Sequence, residues 1–144
     1  MDSHNKNQVV LAVDFDGTIC EVSYPSIGRE RKGAKEYINK LYDEGYGIVI
    51  NTCRTDDGEF KAESIAKQFL KIRGIKYHYF NENPEFLIRM YGCDTRKISA
   101  DVYIDDKCLF DIPSWKKKYA IIKAKYPDPK DKEVGCLIPN PKQR

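Results

Sequence analysis

One short stretch constrains the fold more than any other: five apolar residues, 9–13, followed at once by Asp14-Phe15-Asp16-Gly17-Thr18. The apolar run is too short for a helix core and has the composition of a buried strand. Because side chains alternate along a strand, two aspartates separated by one residue at its end point the same way. Two carboxylates held that close repel each other unless a cation joins them, so the pair indicates a hard metal such as Mg²⁺. The plainer alternative is an acidic turn in solvent.

The rest of the chain alternates apolar runs with segments of helical spacing. Apolar spacing predicts helices over about 33–44 and 62–72, each followed by a glycine that can end it. Strands are predicted at 47–52, 75–80, 102–104 and 119–122, and a short helix at about 84–90. This order predicts an α/β fold, a Rossmann-like three-layer sandwich with a central, mainly parallel sheet and helices on both faces.

Length and composition agree with one globular domain. The chain has 144 residues, 41% hydrophobic and 33% charged, enough for a core and unlike a disordered or fibrous chain. We expect a disordered polar N-terminus over 1–7, the domain over 8–124, and a tail rich in proline and lysine over 125–144. Five cysteines without C-x-x-C spacing favour free thiols in the cytoplasm, and no stretch has the length of a membrane span.

The net charge of +3 is concentrated near the C-terminus. Residues 116–144 carry nine Lys or Arg against three Asp or Glu, whereas the first 115 residues carry 16 against 19. A basic tail can contact an anionic partner, nucleic acid included, but most such tails are only solvated.

Polar residues follow three of the predicted strands at the point where each strand ends. These are Asp14 and Asp16, then Thr52, then Asp105 and Asp106. The carboxyl ends of parallel strands lie at one edge of a sheet, which is where ligands bind in such folds. Lys97, just before the fourth strand, can reach the same edge. Carboxylates, a hydroxyl, an ammonium and Mg²⁺ together suit phosphoryl transfer, in which positioning and charge neutralisation are most of the task.

These residues carry a family resemblance. The string from Val13 to Thr18 resembles the first motif of the haloacid dehalogenase (HAD) superfamily of phosphohydrolases. Thr52 resembles the second motif, Lys97 the third, and the acidic end of the strand at 103–106 the fourth. The resemblance covers about residues 8–122.

The resemblance implies roles for the site residues. Asp14 would be the nucleophile and a Mg²⁺ ligand, and Asp16 the general acid and base, with its backbone carbonyl on the metal. Thr52 and Lys97 would hold the phosphoryl oxygens, and Asp105 and Asp106 would complete the metal shell. Gly17 and Thr18 are expected to contact the substrate as part of the first motif. The presence of Asp16 favours a phosphatase over the dehalogenase and phosphonatase branches.

The chain departs from larger members of that superfamily because it has no room for a large cap domain. Residues 19–32, which we name the flap, form only a loop, and one helix follows. Specificity would then come from loops, a partner subunit (a homo-oligomer included) or a large substrate. Arg54 is placed to bind a second phosphate or a substrate carboxylate, with a surface salt bridge as the alternative.

Two other functions remain open at this stage. A Thr-x-Arg pairing also occurs in polynucleotide 3′-phosphatases of the superfamily, so a nucleic-acid end is a possible substrate. A non-catalytic phospho-receiver or phosphoprotein-binding module also gathers acidic residues, a threonine and a lysine on a parallel sheet. Nothing in the chain names the phosphorylated substrate.

Overall fold

The core of the protein is a parallel sheet of four short strands. The computed structural model describes residues 8–130; the N-terminus 1–7 and the tail beyond residue 130, for which disorder and a basic role were predicted, lie outside the described residues. The strands are β1 (Val10–Val13), β2 (Gly47–Ile50), β3 (Tyr79–Phe80) and β4 (Val102–Ile104). Their order across the sheet is β3-β2-β1-β4, and every pairing is parallel.

Four helices cover the two faces of this sheet. They are α1 (Ala34–Asp43), α2 (Ala62–Arg73), α3 (Glu85–Tyr91) and α4 (Trp115–Lys125). Alternate residues of β1 face opposite ways, as strand geometry requires. Leu11 and Val13 pack in the larger core with buried residues of α1, α2 and α4, while Val10 and Ala12 pack with α3. The predicted Rossmann-like α/β sandwich without a large cap is confirmed.

Strand β1 is an inner strand of the sheet, paired in parallel with β2 on one side and with β4 on the other. All four of its residues are buried, as are all four of β2, so the apolar runs read from the sequence are the strands of the core. Burying such runs on both faces supplies most of the favourable free energy of a fold of this kind. The carboxyl ends of β1, β2 and β4 therefore meet at one edge.

The prediction of a strand at 119–122 was wrong, because these residues lie in α4. Ser114 caps the helix, its hydroxyl oxygen accepting a hydrogen bond from the Lys117 N–H at 3.3 Å. Trp115, Lys118 and Ile122 are buried at helical spacing. The apolar run was misread because a lysine supplies part of the buried stripe through its long alkyl stem.

The third strand is shorter than the predicted 75–80. Only Tyr79 and Phe80 pair with β2, and His78 contacts Ile48 through its ring, Nδ1 accepting the backbone N–H at 3.0 Å. The four cysteines in the described part are free thiols, as predicted, and Cys136 lies outside it. None of the described helices is long and apolar enough to cross a membrane.

Candidate functional site

The candidate site lies at the carboxyl edge of the sheet, where Asp14 leaves β1. Its backbone N–H donates to the Ile104 carbonyl of β4 at 2.8 Å, and the Asn51 N–H donates to the Val13 carbonyl at 2.8 Å. The parallel ladder therefore extends to the first site residue, which fixes Asp14 between the ends of β2 and β4. A side chain anchored by ladder hydrogen bonds is held more rigidly than one on a free loop.

Three carboxylates converge at this point. One oxygen from each of Asp14, Asp105 and Asp106 lies within 4.8 Å of the others, and all three residues are half-buried. In the described structure, Asp106 Oδ1 is buried without a hydrogen-bond partner. A buried oxygen without a partner is costly, and a cation is the natural partner for a carboxylate.

Burial and the two neighbouring carboxylates both perturb the pKa of Asp14. The pKa of Asp14 rises to about 8, first because burial disfavours its charged form and then because of Asp106 and Asp105 beside it. Without a cation, such a cluster holds a proton where free carboxyls would be ionised. Oxygen-only donors at this spacing could hold a hard cation such as Mg²⁺.

Gly17 and Thr18 support the cluster from inside the fold. Gly17 has a φ of +86°, and a Cβ at that position would overlap the Asp106 carboxylate; its N–H donates to the Cys20 carbonyl at 2.7 Å. Thr18 is fully buried, and its hydroxyl donates to Asp14 Oδ2 at 3.3 Å. In this structure both residues lie against the acidic side chains, and their contact with a substrate stays a prediction.

Arg54 also differs from its predicted role. It is only 1% exposed, and its Nε and Nη2 donate to the two carboxylate oxygens of Asp16, each at 2.8 Å. Its remaining N–H groups reach the backbone carbonyls of Pro25, Ser26 and Ala62 at 2.9, 2.8 and 3.2 Å. All five donors of the guanidinium are used, so Arg54 is neither a surface salt bridge nor free to bind substrate.

The two aspartates of the first motif thus have different surroundings. Asp14 lies in the acidic cluster, whereas the carboxylate of Asp16 lies outside that cluster and faces Arg54. The side chain of Asp16 is 20% exposed, so Arg54 does not cover it completely. The two carboxylates therefore have different partners, and the separate roles expected for them stay predictions.

Thr52 follows β2 on a loop that Asn81 holds in place. The Thr52 N–H donates to Asn81 Oδ1 at 2.8 Å, and Asn81 Nδ2 donates to the Arg54 carbonyl at 3.1 Å. The Thr52 hydroxyl oxygen accepts the Arg54 N–H at 3.2 Å, which leaves the hydroxyl proton available to an anion. Asn81 was missed from the sequence, although it is the polar residue that closes β3 just as Thr52 closes β2.

Lys97 lies on an ordered loop but not in the acidic cluster. Its ammonium sits over the Tyr103 ring, 5.3 Å from the centroid. The loop is organised by the buried Asn83, whose amide donates to Asp94 at 2.7 Å and to the Thr95 carbonyl at 3.0 Å, and whose oxygen accepts the Ser99 N–H at 2.7 Å. The Tyr103 ring is thus a partner of the Lys97 ammonium in this structure.

A second lysine near the cluster was not singled out from the sequence. Lys118 of α4 is buried, its ammonium lies 4.8 Å from the centroid of the Trp115 ring, and burial lowers its pKa. The carboxylates of Asp111 and Asp106 act in the opposite direction, so Lys118 adds positive charge on the β4 side of the site. The sequence did not indicate this position, because residues 119–122 were predicted to form a strand and Lys118 was expected to lie just before it.

Comparison with solved structures gives one informative relative. The chain matches a conserved protein from Bacteroides thetaiotaomicron with 34% sequence identity over 85% of this chain and 97% of that protein, at a TM-score of 0.70. The two proteins belong to one family. A scan of protein-family models and a search of curated proteins find no match. This kinship establishes the fold of the chain, and its chemistry has to be argued from the site.

Proposed function

We propose that this protein is a Mg²⁺-dependent phosphatase of the HAD superfamily that hydrolyses a phosphate monoester through an aspartyl-phosphate on Asp14. The observation that supports this most is the different environment of the two aspartates in the first motif. Asp14 belongs to a three-carboxylate cluster, and Asp16 is held outside it by Arg54. A phosphatase needs this separation, because one carboxylate attacks phosphorus while the other serves the leaving group.

The acidic cluster is the proposed holder of the metal. Asp14, Asp105 and Asp106 would supply carboxylate oxygens, and Asp16 would add its backbone carbonyl. A bound Mg²⁺ would neutralise the charge of the cluster and of the incoming phosphate. Ionised Asp14 then becomes compatible with its surroundings, although its pKa is raised in the metal-free protein.

The proposed reaction has two displacements at phosphorus. In the first, an Asp14 oxygen attacks phosphorus, the ester P–O bond breaks, and the leaving oxygen takes a proton from Asp16. In the second, a water molecule gives a proton to Asp16 as its oxygen attacks the phosphorus of the acyl phosphate. The bond to Asp14 breaks, phosphate leaves, and both carboxyls return to their starting forms.

Thr52 and Lys97 are the proposed contacts for the phosphoryl oxygens. The free hydroxyl proton of Thr52 can be donated to one of them, from a loop that Asn81 fixes. Lys97 would reach another after leaving the Tyr103 ring, a contact of a kind worth about 1 kcal/mol or less at an exposed position. A phosphate dianion offers the ammonium a stronger partner.

A nucleic-acid end is a second candidate substrate, favoured by two exposed aromatic side chains. Tyr24 of the flap lies over Arg54, 5.2 Å from Cζ to the ring centroid, and meets Phe60 edge-on at 6.3 Å. They are 52% and 46% exposed. Nucleobases stack on such rings, each contributing about 1–3 kcal/mol.

The test of the proposal is phosphate release from p-nitrophenyl phosphate, a panel of phosphorylated metabolites and 3′-phosphorylated oligonucleotides, with Mg²⁺ or EDTA. We expect release that needs Mg²⁺ and is lost in Asp14→Asn. The matched control, Asp43→Asn, changes an exposed aspartate paired with Lys76 and should leave turnover unchanged. Unchanged turnover in Asp14→Asn would refute the proposed catalysis through Asp14. A long-lived phosphorylated Asp14 without release would instead favour the phospho-receiver.

A further inference from the structure

The burial of Arg54 raises a question about the site, because a guanidinium is rarely enclosed so fully. It lies between the Phe15 and Tyr24 rings, 5.1 and 5.2 Å from their centroids, with all five N–H groups bonded. Enclosing an ion pair contributes little to stability compared with a well-packed apolar pair. A geometric role accounts for the arrangement better than a stabilising one.

We propose that Arg54 is the positioning residue of the site: it fixes the direction of the Asp16 carboxylate and joins it to the flap. This proposal rests on the proposed phosphatase function. The paired bonds from Nε and Nη2 hold the plane of the carboxylate as well as its distance. A lysine has a similar charge but a single donor atom, and it cannot reproduce this fork.

The paired contact leaves Asp16 able to act on a substrate. Each carboxylate oxygen has two lone pairs, and the guanidinium uses one on each oxygen. The side chain keeps 20% of its surface exposed, while Arg54 keeps none. Part of the Asp16 carboxylate therefore stays accessible to a substrate while Arg54 holds it.

The same guanidinium holds the flap. Its Nη1 and Nη2 donate to the carbonyls of Pro25 and Ser26, and the Tyr24 ring of the flap stacks on it with its centroid 5.2 Å from Cζ. The flap folds back on itself, with the Glu21 N–H donating to the Arg29 carbonyl at 2.8 Å. Moving the flap outward would break two bonds to Arg54, so the flap and the carboxylate of Asp16 are held as one unit.

The experiment compares Arg54→Lys with Asp16→Asn on two substrates in the presence of Mg²⁺. One is p-nitrophenyl phosphate, whose leaving group departs without help, and the other is glycerol 2-phosphate, an alkyl ester that needs a proton donor. Asp43→Asn is the control, since Asp43 makes an exposed pair with Lys76 at 2.7 Å and neither residue lies in the flap. Circular dichroism confirms that each variant is folded. Because Arg54→Ala risks losing the fold, the conservative lysine variant carries the test.

A positioning role predicts that both variants lose the same capability. We expect kcat on the alkyl ester to fall about 10²-fold in Asp16→Asn and at least tenfold in Arg54→Lys, with much smaller losses on p-nitrophenyl phosphate and little change in KM. The double variant should be no worse than Asp16→Asn alone, because the two residues act as a unit.

The outcomes separate this inference from the proposed function. Equal losses of Arg54→Lys on both substrates, or full additivity with Asp16→Asn, would overturn the positioning role while the phosphatase stands. Absence of Asp14-dependent phosphate release in the wild-type protein would overturn both.

Discussion

Replacing Asp14 by asparagine should stabilise the protein when no metal is bound. The substitution removes one of three converging carboxyls and keeps the size of the side chain. It also removes the proposed nucleophile, so stability and activity should change in opposite directions. A residue selected only for stability would not behave in this way.

The sign and size of this effect follow from the pKa of Asp14. Folding raises that pKa to about 8, so between pH 4 and 8 the folded protein retains a proton that the unfolded chain releases. The free energy of unfolding therefore falls as pH rises through that window, by up to ~1.4 kcal/mol per pH unit. Since the carboxyl is partly open to solvent, we expect a total effect of about 1–3 kcal/mol at pH 8.

Urea denaturation followed by circular dichroism at pH 5 and pH 8, with EDTA, measures this difference. Asp14→Asn should unfold at a higher urea concentration than the wild type at pH 8, and the gap should narrow at pH 5. Saturating Mg²⁺ should stabilise the wild type more than the variant. The control is Asp43→Asn, since Asp43 is not a member of the cluster and lies in an exposed ion pair. Identical pH dependence of wild type and Asp14→Asn would refute the reasoning.

Three further substitutions test the fold around the site by urea denaturation. Gly17→Ala should lower the free energy of unfolding by more than about 2 kcal/mol and weaken Mg²⁺ binding measured by calorimetry, since Gly17 has a positive φ and a Cβ there would overlap the Asp106 carboxylate. Gly58→Ala, where a Cβ would meet open space, should leave stability unchanged, and equal effects of the two substitutions would contradict this reasoning. Arg54→Ala should lower the free energy of unfolding by about 3–5 kcal/mol and Arg73→Ala by less than about 1 kcal/mol, because only the first leaves a partly buried carboxylate unpaired. Similar losses would show that burial does not make the Arg54–Asp16 pair more important for stability than an exposed pair. Asn83→Ala should cost about 2–3 kcal/mol and raise hydrogen exchange over 94–99, and unchanged exchange there would mean that the amide does not order the loop.

Much of the architecture was accessible from the sequence because its signals are local. Apolar runs of four or five residues are too short for a helix core and typical of strands buried on both faces of a parallel sheet, so β1 and β2 could be predicted. Parallel order then brings the strand ends to one edge, which is why Asp14, Asp105 and Asp106 were expected together. Helix α4 was not recoverable, since Lys118 interrupts its apolar stripe with a residue counted as polar.

The details of the site depend on contacts between distant residues, and no local pattern encodes these. Arg54 and Asp16 are 38 residues apart, and a sequence cannot show that all five donors of a guanidinium are already occupied. The same holds for Thr18, whose motif position indicates a substrate contact while its burial directs its hydroxyl to Asp14. The sequence therefore indicated which charged and polar residues lie near the site, but not which of their side chains are accessible to a substrate.

Trp115 is an internal fluorescence probe that contacts the loop after β1. It is the single tryptophan of the chain, fully buried, and its indole N–H donates to the Thr18 carbonyl at 3.0 Å. Its emission therefore reports the loop after β1, while circular dichroism reports the helices. If that loop loosens before the sheet melts, the two signals will give different unfolding midpoints, and a ligand that tightens the loop will bring them together.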